Sequence, residues 1–395
     1  MKVLIAHNRY SSAQPSGENV MVDNEIAQLT GAGIEVIPFL RSSDEISDLP
    51  LGRKLLLPMS PIYSRTATRE LAELIEKHQP SLLHLHNPYP LLSPWVVRTA
   101  HAHDVPVVQT IHNYRHVCAA ATFVRDGHDC HDCVGKRFPT PAIKHNCYRG
   151  SKAQSTVMAT TLAVHRGTWH SVDRFIALTD GIASYLKDFG IPEDRITVKP
   201  NAVADPGRAP AIRGEGFLYV GRLTAEKGVE LLLEAWQRHP DGKLGTLRII
   251  GDGPLKPQVE AAAAERADIE FLGLVPNAEA QAAMRAAAVL VAPSLWNDVL
   301  PTVIIEALAN GRPVLGTKRG GIPYVLGMGE PAPAGWVVEP TVDALAEALP
   351  DALNQADPVG LAARLRYLAK FSPDVVLDEL IEAYRVTITR HAGNG

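Results

Sequence analysis

A threonine, a glutamate and the start of a short helix form the first pattern in this chain that could support chemistry. Thr302 and Glu306 are four residues apart, so on a helix they share one face. Pro301 suits the first helical turn, and Gly311 suits a left-handed helix end. The free N–H groups and positive dipole end of a helix that follows a strand favour a phosphate. The pattern predicts a phosphate at the helix start and ribose hydroxyls at the Glu306 carboxylate, unless Glu306 simply faces solvent.

Two cations lie close together in the segment GRLTAEKG, between an apolar strand and the next helix. Arg222 and Lys227 would both lie near a helix N-terminus, where positive charge destabilises the helix. A bound anion would remove this conflict, because arginine binds a diphosphate through its planar fork and lysine as a point charge. The segment therefore predicts a diphosphate site, and the alternative is a pair of solvated surface charges.

Further loops carry residues that a ligand could use. Gly17, in the segment SGE after the first strand, would let a diphosphate approach the backbone at a helix start. His112 follows an apolar strand in the segment TIHN, and Gly251 lies in the turn GDGP. Plain turns at the two glycines and a buried core histidine are the structural alternatives. The chain lacks the GxGxxG fingerprint of dinucleotide-binding proteins after its first strand.

Strands and helices alternate along the chain and would bring these loops to one edge of a sheet. Apolar strands such as MKVLIAHN are followed by helical patterns, and this alternation predicts parallel sheets covered by helices. The pattern restarts at Gly216, after the aperiodic segment PNAVADPGRAPAIRGEG, which is typical of a linker. We therefore predict an α/β protein with Rossmann-like domains over residues 1–204 and 205–372. A final helix within residues 373–395 could pack back on the first domain.

The composition excludes several classes of protein. The 39 basic and 43 acidic residues of this 395-residue chain give a net charge of −4, which argues against a nucleic-acid binder. No apolar run approaches the roughly 20 residues that a membrane-spanning helix needs. The N-terminus leads directly into a strand, without the pattern of a signal peptide. We expect a cytoplasmic protein, with peripheral contact at the inner face of the membrane left open.

Several segments together resemble a known family. They are, in order, GENVMVDNE, TIHNYRHVC, DRFIALT, VKPN, YVGRLTAEKG and PTVIIEALANGRPV. With Asp298 and Glu306, two acidic residues separated by seven others, they resemble retaining glycosyltransferases of family 4, especially bacterial enzymes of exopolysaccharide and lipopolysaccharide synthesis. The family usually has glutamate at the first acidic position, and Asp298 is one methylene shorter. The resemblance covers nearly the whole chain and implies the GT-B fold, two Rossmann-like domains facing across a cleft.

The resemblance also implies a role for each matching position. His112 would contact the donor sugar from the first domain, and Asp298 would accept a hydrogen bond from a sugar hydroxyl. Arg222 and Lys227 would hold the diphosphate and stabilise charge on the leaving group. Catalysis would require no cofactor, because cationic side chains and helix dipoles would take the place of a metal. The implied donor-binding residues are Gly17, Arg222, Lys227, Gly251, Gly273, Val275, Leu300, Thr302, Val303 and Glu306.

The resemblance implies transfer of a hexose-type sugar, with retention, from a UDP- or GDP-linked donor. The acceptor would be a hydroxyl of a glycan, a lipid-linked glycan or a small molecule. A nucleotide-sugar epimerase with the same fold is one alternative. A protein that binds nucleotide sugars but is catalytically weakened by the shorter Asp298 is another. A dinucleotide oxidoreductase is disfavoured by the missing glycine fingerprint.

The four cysteines of the chain are clustered in an insertion, residues 114–150. Cys118, Cys130, Cys133 and Cys147 supply the number of thiolates that a tetrahedral zinc site needs, and the CHDC segment has a short spacing that zinc sites use. Two disulfides or four unligated thiols are the alternatives, and a cytoplasmic location disfavours disulfides. We also expect the insertion to cover the acceptor side of the cleft, since it directly follows His112.

Overall fold

The computed structural model describes residues 1–12, 16–48, 50, 57–207 and 214–394. The chain forms two compact units, Met1–Pro200 with Val376–Gly395, and Asn201–Val375. Residues 208–213 of the predicted linker lie outside the described residues, and the described residues of that segment form no helix or strand. Each unit contains a six-stranded parallel sheet, which confirms the predicted α/β class with two Rossmann-like domains.

The first unit is built on a sheet with the strand order β2-β1-β3-β4-β7-β8. Continuous apolar runs form these strands because both faces of a parallel sheet are buried. The order reverses at β1, so the carboxyl ends of β1 and β3 lie side by side. A two-stranded hairpin, β5 with β6, lies in the cysteine insertion. The strands are β1 (Lys2–Arg9), β2 (Glu35–Ser42), β3 (Leu82–Leu85), β4 (Val107–Ile111), β5 (Val124–Arg125), β6 (His128–Asp129), β7 (Arg174–Ala177) and β8 (Ile196–Val198).

Helices cover the sheet of the first unit, and several begin at hydroxyl side chains. Ser64, Ser151 and Thr179 each accept a hydrogen bond from a backbone N–H in the first turn of the helix that follows. The last helix of the chain brings Leu380 and Tyr384 into the core cluster of this unit. The helices are Gly17–Gly31, Glu45–Asp48, Arg65–His78, Trp95–Ala102, Thr140–Lys144, Lys152–Ser171, Asp180–Phe189 and Pro373–Asn394.

The second unit has the strand order β11-β10-β9-β12-β13-β14. Its order reverses at β9, and β9 pairs in parallel with both β10 and β12. The core contains Trp236, whose ring lies edge-on to Phe217 with centroids 5.5 Å apart. The indole N–H donates to Asp268 at 3.2 Å. The strands are β9 (Phe217–Val220), β10 (Leu247–Ile250), β11 (Ile269–Gly273), β12 (Val289–Ala292), β13 (Val314–Thr317) and β14 (Gly335–Val338).

The helices of the second unit follow its strands in alternation. A single 3-10 turn, Ala225–Lys227, precedes the first of them. Among the residues described in both units, no helix combines the length and apolar character needed to cross a membrane. The helices are Val229–Gln237, Lys256–Glu265, Asn277–Ala286, Thr302–Ala309, Ile322–Leu326, Val342–Asn354 and Ala356–Lys370.

Candidate functional site

The first candidate site lies where the strand order of the second unit reverses. Arg222 and Lys227 follow β9, and Asp298 follows β12, the neighbouring strand. The carboxyl ends of parallel strands meet at one edge, and ligands of open α/β sheets bind at such a reversal. The topology therefore places both predicted cations and the first predicted acid at one edge of the sheet.

Close backbone packing joins the loop after β9 to the loop after β12. The backbone N–H of Leu295 donates to the carbonyl of Glu226 at 2.9 Å. Gly228 has a left-handed φ of 74°, and a Cβ there would lie 1.8 Å from the carbonyl oxygen of Pro293. Only glycine fits this position, so the packing fixes the Lys227 loop against the Asp298 loop.

Each predicted diphosphate ligand has an acidic neighbour. The Lys227 ammonium forms an ion pair with the Asp298 carboxylate and lies 5.4 Å from the centroid of the Trp296 ring. Arg222 lies 3.8 Å from Glu226, and its side chain is 63% exposed. Both cations therefore already have a carboxylate beside them, so their positive charge does not by itself require a bound anion. Arg222 is the more accessible of the two cations.

A glycine turn holds Asp298 from its other side. The backbone N–H of Gly321 donates to the Asp298 carbonyl at 2.7 Å, and that of Gly320 donates to Asn297 Oδ1 at 3.2 Å. A Cβ at Gly320, which has a φ of 49°, would lie 2.1 Å from the Asp298 carbonyl oxygen. The Asp298 backbone is thus fixed by hydrogen bonds and by steric fit.

The helix Thr302–Ala309 begins directly after this loop. Pro301 is its N-cap and provides no side-chain hydrogen bond, so the first N–H groups have no side-chain cap from that residue. Thr302 and Val303 are half-buried, whereas Leu300 is only 7% exposed. The helix therefore has the start and the exposure that the anion-binding prediction requires.

Glu306 is held in place by a residue that sequence reasoning missed. Gln281 Nε2, from the helix Asn277–Ala286, donates to Glu306 Oε2 at 2.8 Å. Asn310 Nδ2 in turn donates to Gln281 Oε1 at 2.9 Å. Burial raises the pKa of the Glu306 carboxyl, and the Gln281 hydrogen bond opposes this rise. Glu306 is therefore an oriented, half-buried carboxyl and does not simply face solvent.

The glycines of the GDGP turn are required by the fold itself. A Cβ at Gly251 would lie 1.9 Å from the Gly221 carbonyl oxygen, and one at Gly253 would lie 2.5 Å from that of Leu223. Gly273 ends β11 with a φ of 67°, and its carbonyl accepts from the Gly251 N–H at 2.9 Å. Val275 follows two residues later and is half-buried. Backbone packing accounts for glycine at position 251, and its ligand role stays a prediction.

The second candidate site lies in the first unit and contains His112. His112 directly follows β4, and its Nε2 lies 3.0 Å from Nδ1 of His86, which directly follows β3. Burial and the neighbouring His86 lower the pKa of His112 well below its ordinary value. Burial and His84 lower the pKa of His86 to about 4. Both rings are therefore neutral at pH 7.

A buried carboxylate lies behind this histidine pair. Glu25 Oε1 is 3.3 Å from His86 Nε2 and 3.0 Å from His84 Nδ1. Burial alone would raise the pKa of Glu25, but His84 and Lys199 lower it well below its usual value. The Lys199 ammonium lies 3.4 Å from Glu25 Oε2. Glu25, His84 and His86 have the separations of a metal site, but Lys199 already supplies a positive charge to the carboxylate.

A pocket opens beside His112 in the same unit. Its lining includes Glu18, Tyr89, Asn113 and Arg115. Burial raises the pKa of Glu18 to about 7, and Arg115 opposes this rise. The Arg115 guanidinium lies 5.8 Å from the centroid of the Tyr89 ring. A carboxyl that titrates near pH 7, a cation and an amide suit a ligand that is rich in hydroxyl groups.

Gly17 begins the helix that carries Glu18. Ser16 is the N-cap of this helix and makes no side-chain cap hydrogen bond. Among the described residues, nothing lies within 4 Å of a Cβ built at Gly17. Packing against the described residues therefore does not explain glycine at this position, in contrast to Gly251, and the predicted close approach of a ligand stays a prediction.

Comparison with known proteins matches both units. Residues 16–202 match the family model described as glycosyl transferase 4-like domain, and residues 214–355 match glycosyl transferases group 1. The chain therefore belongs to the glycosyltransferase family that these two models describe. The resemblance to bacterial enzymes of the family 4 type is thereby confirmed.

Curated relatives agree with this assignment, and a solved structure shares the fold. The putative colanic acid biosynthesis glycosyltransferase WcaL of Escherichia coli (strain K12) is 31% identical over 53% of this chain and 55% of its own length. The putative teichuronic acid biosynthesis glycosyltransferase TuaC of Bacillus subtilis (strain 168) is 26% identical over 83% of each chain. Anabaena Alr3699/HepE, solved in complex with UDP, is 15% identical and has a TM-score of 0.64 over 98% of this chain and 100% of its own. The match spans about half the length of the first curated relatives.

The cysteine insertion of this glycosyltransferase places all four cysteines around one small pocket. Cys118, Cys130, Cys133 and Cys147 line it together with Phe123 and neighbouring residues. None of the four forms a disulfide, and each is half-buried. Burial and the adjacent Cys118 raise the thiol pKa of Cys133 to about 11. The fold therefore brings to one pocket four thiols that the sequence spaces over 30 residues, although no three of their sulfur atoms lie within 4.8 Å of one another.

Proposed function

We propose that this protein transfers a hexose-type sugar from a nucleotide diphosphate sugar to a hydroxyl of a glycan, lipid-linked or small-molecule acceptor. One observation carries the proposal. Arg222 and Lys227 follow β9 and the helix Thr302–Ala309 follows β12, the neighbouring strand at the reversal point of the second sheet, with Glu306 one helical turn further on. Two cations and a helix N-terminus suit a diphosphate, and an oriented carboxyl suits a ribose.

The donor is assigned to the second unit. The N–H groups at Thr302 and Val303, with the exposed Arg222, bind the diphosphate, and Glu306 accepts hydrogen bonds from the ribose. Alr3699/HepE, which is similar in fold, is solved with UDP and with UDP-glucose, so we propose a UDP-linked donor first and keep the GDP-linked donor as the alternative. The backbone around Gly273 and Val275 faces the base, and the backbone of the buried Leu300 precedes the phosphate-binding turn.

Asp298 and Lys227 exchange partners when the donor binds. Their ion pair holds Lys227 at the site before the diphosphate arrives. On binding, the ammonium turns to the diphosphate, and the Asp298 carboxylate accepts a hydrogen bond from a sugar hydroxyl. The shorter aspartate is compatible with this role because the turn at Gly320 fixes its backbone.

His112 contacts the donor sugar, and Glu25 positions it through His86. A carboxylate 3.3 Å from His86 Nε2 favours the proton on that nitrogen, which leaves Nδ1 to accept from His112 Nε2. The Nδ1 atom of neutral His112 is then a hydrogen-bond acceptor for a sugar hydroxyl. The pocket with Glu18, Asn113 and Arg115 receives the acceptor.

The reaction proceeds with retention and without a metal or covalent intermediate. The bond from sugar C1 to the β-phosphate oxygen breaks, and a bond from C1 to the acceptor oxygen forms on the same face. The acceptor proton passes to the departing phosphate oxygen, whose charge Arg222 and Lys227 stabilise. A cytoplasmic location, with peripheral contact at the inner membrane face, stays a prediction.

The test uses water as the acceptor, because a water molecule can take the place of the acceptor hydroxyl in the attack on C1. The protein is incubated with UDP-glucose, UDP-galactose, UDP-GlcNAc and GDP-mannose, and products are followed by proton NMR. The proposal predicts slow release of UDP or GDP, with the α anomer of the sugar formed first from an α-linked donor. Release of the β anomer first would refute retention.

Other outcomes separate the competing functions. An isomerised nucleotide sugar, without release of free nucleotide diphosphate, would instead establish an epimerase. Tight donor binding with neither cleavage nor isomerisation, also after addition of glycolipid extracts as acceptors, would establish a binding protein with a weakened site. Either result overturns the transferase proposal.

A further inference from the structure

The cysteine pocket in the first unit has no role in the chemistry proposed above. Its four cysteines lie in the loops and turns of the insertion, and backbone hydrogen bonds hold three of them in place. The Cys118 N–H donates to the Tyr114 carbonyl at 2.9 Å, and the Cys130 N–H donates to that of Phe123 at 2.7 Å. The Cys147 N–H donates to the Ala142 carbonyl at 3.0 Å. Four thiols from three separate segments around one small pocket are a pattern that packing alone does not require.

The insertion is poor in the apolar contacts that would otherwise stabilise it. Its buried apolar side chains are few and small apart from Phe123. The short hairpin of β5 and β6 turns through Asp126 and Gly127, both at positive φ. A segment with so little core usually needs a disulfide or a metal to define its structure. The structure shows no disulfide among these cysteines.

We propose that Cys118, Cys130, Cys133 and Cys147 bind one zinc ion as a tetrathiolate structural site. Four thiolates complete a tetrahedral zinc without an open position for water, which is typical of structural sites. One cation lies near the site. The half-buried Arg125 lies beside Cys130, although the Asp132 carboxylate, 2.7 Å away, already pairs with it.

The zinc would fix the turn that carries Arg115 into the pocket beside His112. Arg115 lies between Tyr114 and Cys118, and the Tyr114 carbonyl accepts hydrogen bonds from both the Cys118 N–H and the Tyr185 hydroxyl. The Tyr114 ring also packs against Phe123, with centroids 4.8 Å apart. Loss of the metal is therefore expected to disturb this pocket and to leave the second unit unaffected. The metal content itself does not depend on the proposed transferase function.

The test measures metal and thiols in the full chain, purified without chelators. Elemental analysis should find about one zinc per chain, and four thiols should react after denaturation with a chelator. Cobalt(II) exchanged into the site should give the intense visible absorption of a tetrahedral tetrathiolate. Zinc below a few tenths of an equivalent, fewer than four thiols, or iron with sulfide in place of zinc would each overturn the proposal.

Variants identify the ligands. Cys133→Ser should lose most of the zinc, whereas His131→Ala, which removes the imidazole between the two central cysteines, should retain it. If Cys133→Ser does not fold, timed release of zinc from the wild-type chain to a colorimetric chelator replaces it. Zinc retained in Cys133→Ser, or lost in His131→Ala, would refute the tetrathiolate assignment.

Discussion

Removal of Lys227 and removal of its ion-pair partner Asp298 should change the affinity for UDP in opposite directions. In the protein without ligand, the charge of each partner is offset by the opposite charge of the other. If Lys227 must leave Asp298 to bind the diphosphate, removal of the aspartate should strengthen nucleotide binding. Asp298→Ala is therefore expected to bind UDP more tightly than the wild type, and Lys227→Ala is expected to bind it more weakly.

The exposure of the pair sets the magnitude of the effect. The side chains are 24% and 21% exposed, which places the pair at the upper end of the range for surface pairs, about 1 kcal/mol. UDP should therefore bind about fivefold more tightly to Asp298→Ala. Lys227→Ala removes a charge-assisted bond of about 1.5–3 kcal/mol, so its UDP affinity should fall by roughly tenfold to a hundredfold.

Isothermal titration with UDP measures both constants, and donor cleavage measures turnover. Asp298→Ala should lose turnover by at least about tenfold, because the sugar hydroxyl loses a charged acceptor. Glu339→Ala is the control, since it removes the acid of the Lys318–Glu339 pair, 3.2 Å apart, at the edge strand β14. Tenfold weaker UDP binding in Asp298→Ala would refute the exchange of partners, and unchanged turnover would remove Asp298 from the site.

Three further predictions follow from the buried carboxyls. Glu306→Gln should weaken UDP binding by about tenfold or more through loss of a charged ribose contact; an effect below about 0.5 kcal/mol by titration would exclude that contact. Glu25→Gln should lower kcat about tenfold at unchanged UDP affinity. In a His112→Ala background, Glu25→Gln should cause no further loss of kcat, and additive losses would exclude positioning through His86. Glu18 has a pKa of about 7 in the folded protein against 4.5 unfolded, so wild-type stability should fall as pH rises between these values. In denaturant unfolding, the free energy of unfolding of Glu18→Gln relative to the wild type should rise by up to about 3 kcal/mol between pH 4.5 and pH 8. A difference that does not change with pH would refute the raised pKa.

The sequence predicts the two sheets well because their strands are continuous apolar runs. The structure confirms the strand proposed within MKVLIAHN and the restart of the strand–helix pattern near Gly216, where β9 begins at Phe217. The sequence does not predict the long helix Lys152–Ser171, because this helix lacks a clear apolar pattern. Its buried face includes Ser155, Thr161 and His165, so the chain shows no apolar period there.

At the candidate sites, features marked by neighbouring residues can be predicted from the sequence, whereas contacts between distant residues cannot. The short helix of Glu306 could be predicted because Pro301 and Gly311 mark its ends locally. Its partner Gln281 lies 25 residues away on another helix, and no local pattern connects the two. The role of Glu25 could have been predicted, because Glu25 shares the buried helix face of Val22 and Leu29. A carboxylate on a buried face needs a partner.

We propose above that the second unit binds a nucleotide diphosphate through Glu306 and the helix that carries it. Thermal unfolding of the wild type and of Glu306→Ala, each with UDP, GDP or ADP in large excess, tests it most directly. A ligand at 100 times its dissociation constant should stabilise the wild type by about 2.7 kcal/mol. We expect UDP or GDP to produce this shift in the wild type and a clearly smaller one in Glu306→Ala. No shift with any of the three nucleotides, or equal shifts in both proteins, would contradict the claim.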